Sequence, residues 1–170
     1  LITTYKQGKR VGNYYEIEQV LKYKNYYKDG GLTISGGEPL LQLKFITEVC
    51  KLAKEFGLHT AIDTSGCTFN NKDLDKYNEL IKYVDLFLLD IKHIDNEKCI
   101  NLTGKSNENT LEFEKDLNKN NKKTWIRYVR VPGYTNDLSD LENTRSFSDT
   151  LSNVEKIELL PYHKLGIIKY

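Results

Sequence analysis

The sequence predicts an α/β fold built on a parallel sheet. Three observations lead there. The hydrophobic period switches repeatedly along the 170 residues between short apolar runs and helical stripes. Leu86–Leu89 reads Leu-Phe-Leu-Leu, apolar at every position, as in strands covered on both faces. The polar and glycine residues gather where the predicted strands end, the side on which parallel α/β proteins bind ligands.

Ile17, Val20, Leu21, Lys24 and Tyr27 share one face of a first helix, which Gly30-Gly31 ends, and Leu32–Ser35 follows as a β-branched strand. Leu41, Phe45, Val49, Leu52, Ala53 and Phe56 form the stripe of a second helix, with Gly57 suited to its left-handed cap. His59–Asp63 is a strand, Leu74, Tyr77, Leu80, Ile81 and Val84 a helix, and Asp85–Ile91 a strand. Leu111, Phe113 and Leu117 mark a fourth helix before the strand Thr124–Val131. Leu138–Leu151 is a weaker helix and Val154–Leu160 the last strand. The connections suit right-handed parallel crossovers. Alternation alone leaves an open sheet and a barrel equally available.

Length fits one domain, residues 1–170. Charged residues make up 29% with a net charge of +1, which supplies no basic field for nucleic acid. No run approaches the roughly 18 apolar residues of a membrane span. Cys50, Cys67 and Cys99 are an odd number at wide spacing, so free thiols in a reducing cytoplasm are expected. There is no methionine, even at position 1, so the chain is expected to begin inside a longer protein and to be incomplete at both ends.

The strand ends carry the candidate chemistry. Ser35-Gly36-Gly37-Glu38-Pro39 is either an ordinary strand-to-helix turn or a close backbone approach to a ligand, with carbonyls for an ammonium and Glu38 adding negative potential. Asp90 and Lys92 are two apart and share a face. Together they suit a zwitterion, or form a structural pair. Asp63 either turns the chain into Thr-Ser-Gly or accepts from an ammonium; with Asp90 it offers hard oxygens to a small cation. Arg127 alternates with Trp125 and Val129 and is expected to face the ligand side, or to pair with an aspartate. His163 either packs on a nucleoside or is a satisfied polar group. Cys50 reads as a small core residue, and the three cysteines offer no cluster site.

With these residues in hand, the chain resembles the pyruvate formate-lyase activating enzymes, a branch of the radical S-adenosylmethionine (SAM) superfamily. The matching stretches are Gly-Leu-Thr-Ile-Ser-Gly-Gly-Glu-Pro-Leu-Leu-Gln (31–42), His-Thr-Ala-Ile-Asp-Thr-Ser-Gly (59–66), Asp-Leu-Phe-Leu-Leu-Asp-Ile-Lys-His-Ile (85–94), Leu-Thr-Gly-Lys-Ser-Asn (102–107), Trp-Ile-Arg-Tyr-Val-Arg-Val-Pro-Gly-Tyr-Thr (125–135) and Val-Glu-Lys-Ile-Glu-Leu-Leu-Pro-Tyr-His-Lys-Leu-Gly (154–166). The resemblance implies a partial (β/α)6, TIM-like barrel whose first strand and C-terminal helix are absent from this chain. It implies SAM as cofactor: Gly36 and Gly37 carbonyls on the amino group, Asp90, Ile91 and Lys92 along the ribose and carboxylate, His163 also in contact, and a small-cation site at Asp63 and Asp90. It implies a [4Fe-4S] cluster on a Cys-x3-Cys-x2-Cys loop upstream of Leu1, so no catalytic residue is expected in this chain. The implied reaction is reductive cleavage of SAM to a 5′-deoxyadenosyl radical, which removes hydrogen from a glycine of pyruvate formate-lyase. A flavodoxin- or ferredoxin-type donor, an anaerobic cytoplasm and a monomer go with it. The fragment alone is expected to be inactive and, with a bare strand edge at Leu32–Ser35, poorly soluble. The alternatives are an activase of another glycyl radical enzyme, such as a glycerol dehydratase, or a cluster-free module binding SAM or a partner. Arg130 departs from the apolar residue usual there and is expected to face the helix layer.

Overall fold

The computed structural model describes residues 5–6, 9–10, 18, 20–22 and 30–162. Two-residue strands β1 (Tyr5–Lys6) and β2 (Lys9–Arg10) pair antiparallel, an element with no sequence counterpart above. Of the expected first helix, Glu18, Val20 and Leu21 are described, and all three are helical. The remainder alternates as expected: β3 (Gly31–Ile34), α1 (Leu43–Glu55), β4 (His59–Thr64), α2 (Leu74–Lys82), β5 (Leu86–Asp90), α3 (Asn96–Thr103), α4 (Glu108–Lys119), β6 (Lys123–Arg130), α5 (Leu138–Asp149) and β7 (Val154–Pro161).

Helix α3 is the element that the periodicity missed. Its only buried residue is Cys99, so it has no apolar stripe. Its signals are at its ends: the Asp95 side chain accepts from the Lys98 N–H, and Gly104 closes the helix in the left-handed region. Helix α1 begins two residues later than its stripe, because Pro39–Gln42 forms a 3-10 turn capped by Glu38.

Strands β3-β4-β5-β6-β7 form one parallel sheet in sequence order. Sequential order decides between the two architectures left open above. A doubly wound sheet reverses direction at a switch point, whereas a barrel advances one strand at a time. Right-handed crossovers that always advance put every helix on one face. The sheet is barrel-like and not closed. Its helix side carries Ile34, Ile62, Phe87, Leu89 and Ile126, each at most 1% exposed. Asp63, Leu88, Trp125 and Arg127 fall on the opposite, concave face and are only half-buried. Arg130 is exposed at the end of β6, and nothing in the structure explains it.

Packing beneath the strand ends is aromatic. The Phe113 ring lies 5.5 Å from Phe87 edge-on and 5.2 Å from Phe69. Gly66, with φ +65°, sits against this cluster: a Cβ there would lie 3.0 Å from Phe113 Cδ1 and 3.1 Å from Leu89 Cδ1. The turn after β4 therefore needs glycine for conformation and for space.

Candidate functional site

The turn after β3 leaves the sheet through Gly36 at φ +146°, with open space where a Cβ would project. A cavity of about 200 Å³ borders it, lined by residues 35–39 of the turn and by Ile34, Phe45 and Ile46. Both glycines are exposed, so the backbone can be approached closely.

Glu38 does something the sequence reading missed. Its Oε1 accepts from Leu40 N–H (3.0 Å) and Thr64 Oγ1 (2.5 Å), and its Oε2 accepts from Ser65 N–H (3.0 Å) and Ser65 Oγ (2.6 Å). Both oxygens are committed to the chain, so the carboxylate clamps the β3 turn to the end of β4. The signal was the Thr-Ser pair beside Asp63, read there only as a turn.

The other expected residues converge on the concave face. Arg127 Nε donates to Asp90 Oδ1 at 2.8 Å, and its Nη2 lies 2.7 Å from the same oxygen and also bonds Asp63 Oδ1. Lys92 Nζ donates to Asp90 Oδ2 at 2.7 Å. Three neighbouring strands thus end in one array, Asp63–Arg127–Asp90–Lys92, with Lys92 outermost at 41% side-chain exposure. Burial opposes the Arg127 charge, but Asp90 and Asp63 outweigh it and hold the guanidinium protonated more firmly than usual. Burial pushes the Asp63 carboxyl up, and Arg127 draws it only part of the way back. The guanidinium decides the pair, since an arginine stays charged and a carboxylate bonded to it ionises at neutral pH.

Asp63 and Asp90 do come together, but the positive charge between them is Arg127's own; a small cation would have to displace it. Among the described residues no group of three or more His, Cys, Asp or Glu is placed to hold a metal ion. Ile91 is 1% exposed, with its side chain turned to the helix layer and its N–H bonded to Arg127 O at 3.0 Å, so only its backbone borders the site. His163 lies outside the described residues. The cysteines stand apart: Cys50 in α1 and Cys99 in α3 are buried, while Cys67, after β4, is partly exposed. Burial pushes the Cys50 thiol up to about 12.

A parallel, barrel-like sheet with a charged array at its strand ends defines a class, and the sequence comparison agrees. The model of the Radical SAM superfamily matches residues 4–147, and the chain belongs to that superfamily. More narrowly, it is 48% identical over 158 residues to the pyruvate formate-lyase-activating enzyme of Staphylococcus aureus (strain USA300), a match covering 91% of this chain and 63% of that protein. The chain therefore spans less than two thirds of the length of that curated relative. A solved domain of a pyruvate-formate lyase-activating enzyme from Bacteroides vulgatus ATCC 8482 superposes with a TM-score of 0.71 at 27% identity, covering 80% of this chain and 83% of that one. Streptococcus suis SuiB bound to S-adenosylmethionine shares the fold alone, with a TM-score of 0.69 at 18% identity over 91% of this chain and 34% of that one.

Proposed function

We propose that this chain is the SAM-positioning part of a glycyl-radical-enzyme activase whose partner is pyruvate formate-lyase. The observation that carries the reading is the Asp63–Arg127–Asp90–Lys92 array beside an open Gly36-Gly37 turn. A SAM amino acid end needs acceptors for an ammonium and a donor for a carboxylate. The turn carbonyls supply the first and the Lys92 ammonium the second. Asp90, bonded to both Lys92 and Arg127, keeps acceptor capacity for a ribose hydroxyl. Arg127 holds Asp63 and Asp90 in register, and Glu38 holds the turn against β4. The resemblance implies that His163 also contacts SAM.

When bound, SAM and a [4Fe-4S] cluster would supply a radical able to take hydrogen from a backbone glycine of the partner. Cys50, Cys67 and Cys99 stand apart and are not arranged to ligate that cluster; its ligands are proposed to lie in protein beyond this chain. The 170 residues by themselves are proposed to be inactive. The same reading carries a flavodoxin- or ferredoxin-type electron donor, a monomer, and an anaerobic cytoplasmic setting. Among the described residues no helix is long and apolar enough to cross a membrane.

The test is transfer of hydrogen from a deuterated glycine of the partner into 5′-deoxyadenosine by the complete protein. Transfer from pyruvate formate-lyase is expected. Transfer only from another glycyl radical enzyme, such as a glycerol dehydratase, would reassign the partner, and failure to cleave SAM would overturn the reading.

A further inference from the structure

His93 follows Lys92 but turns the other way. It lies just beyond the end of β5, is 0% exposed, and turns its ring to α5 on the helix side. Its ring is held at both nitrogens. The Asp95 backbone N–H donates to Nδ1 at 3.0 Å, and Nε2 lies 3.2 Å from Asp140 Oδ2. An Nδ1 that accepts leaves the ring proton on Nε2, so the hydrogen-bond pattern assigns the Nε2–H tautomer, donating to Asp140.

Asp140 sits in the first turn of α5 at 3% exposure, and Lys98 of α3 donates to both of its oxygens at 2.9 and 2.8 Å. Burial opposes its charge, but Lys98 and His93 more than compensate and hold the carboxyl below its usual range. From the other side Asn107, at the start of α4, donates to His93 O (3.0 Å) and Ile94 O (2.6 Å). Helices α4 and α5 thus hold His93 and Ile94 directly, and α3 supports Asp140 through Lys98.

None of these groups reaches the concave face. What the socket controls is the residue beside it. With Ile91 and His93 both locked into the helix layer, Lys92 is committed to the concave side, where its ammonium meets Asp90. We propose that His93, seated by Asp140, is a positioning residue that aims Lys92 at the carboxylate of SAM. This rests on the reading of the strand ends as a SAM site. The plain alternative is that a buried ion group merely stabilises the fold; that would cost melting temperature without changing which ligand atoms are recognised.

Histidine variants separate the two. In glutamine the side-chain amide reaches the place of Nε2 and can still donate to Asp140, whereas the shorter asparagine amide stops near Nδ1 and cannot. Isothermal titration of the intact protein with SAM and with its methyl ester, which lacks the carboxylate charge, reads the recognition directly. The wild type should prefer SAM to the ester. His93→Asn should lose about tenfold in SAM affinity and bind the ester as the wild type does, the size expected for one misaligned charge-assisted contact. His93→Gln should recover most of the preference. Should His93→Asn not fold, Asp140→Asn is subject to the same comparison. Equal losses for SAM and the ester, or an unchanged preference beside a lowered melting temperature, would overturn this inference alone. A wild type that binds neither ligand would overturn the site reading and this inference with it.

Discussion

Ser65 gives both its backbone N–H and its hydroxyl to one oxygen of Glu38, at 3.0 and 2.6 Å across 27 residues of chain. This contact joins the ends of two neighbouring strands and holds the glycine turn in place. It makes Glu38 part of the framework that presents the turn.

Four donors converge on that carboxylate, two of them backbone N–H groups. In Glu38→Gln the side-chain amide must set its own NH2 against one of them. We expect a loss of about 1–3 kcal/mol in chemical denaturation, the usual cost of a part-buried donor left without an acceptor, together with weaker SAM binding. An unchanged denaturation midpoint would show that the clamp has no energetic role.

Arg127 neutralises two carboxylates on adjacent strands. Arg127→Met leaves Asp63 and Asp90 facing one another with Lys92, bonded to Asp90, as the remaining counter-charge. Its melting temperature should fall and should then rise on adding Ca²⁺, since hard oxygens brought together attract a hard cation. The wild type, already carrying its own cation there, should respond little. Equal Ca²⁺ responses in both proteins would contradict this account.

Glu114 on α4 is 0% exposed, and burial pushes its carboxyl up to about 7 from an ordinary 4.5. Its Oε1 accepts from Asn153 Nδ2 at 2.9 Å, while Glu114 Oε2 and Asn153 Oδ1 are buried without partners. A proton on Glu114 would supply the donor that these two acceptors lack. The sign follows from linkage: between about 4.5 and about 7 the folded chain holds a proton that the unfolded chain has released, so stability falls as pH rises through that window and levels off above it. The fall should be on the order of 3 kcal/mol. Glu114→Gln, which carries an N–H in place of the proton, should be more stable than the wild type at pH 8 and flatter from pH 5 to 8. Parallel stability curves for the two proteins would rule this out.

Alkylation of the native protein should be confined to Cys67, the partly exposed cysteine. The Cys50 thiol, pushed up to about 12 by burial, stays protonated, and Cys99 is 4% exposed. Iodoacetamide at pH 8 should label Cys67 in the native protein and all three cysteines only after unfolding, as read by peptide mass spectrometry. Fast native labelling of Cys50 would show that α1 opens.

On its helix side β7 leaves Leu159 50% and Ile157 37% exposed, and Leu138 of α5, beside them, is 74% exposed. These residues line a groove of about 400 Å³. A chain of these 170 residues alone should self-associate, as sedimentation velocity would detect, and Leu159→Lys should reduce it. A monodisperse monomer at high concentration would count against this.

The alternation of helices and strands, the Gly57 and Gly66 turns and the gathering of polar residues at the strand ends were all legible in the amino-acid sequence. Each depends on residues a few positions apart, where spacing translates directly into one face of a helix or strand. Helix α3 escaped because its evidence lies in two caps and not in a stripe. Sheet order, and with it the barrel-like architecture, was not legible: every strand reads alike whichever neighbour it takes. Of the pairings, Asp90 with Lys92 and Arg127 with one aspartate stood among the alternatives the sequence offered; the rest were not legible. Glu38 with Ser65, Arg127 with both aspartates, and His93 with Asp140 join residues 27 to 64 positions apart. The sequence by itself determined which side chains stand at the strand ends. Tertiary structure alone decided which of them bind one another and which stay open to a ligand, because side chains far apart in the chain meet only once strand register and helix packing have brought them within hydrogen-bonding distance.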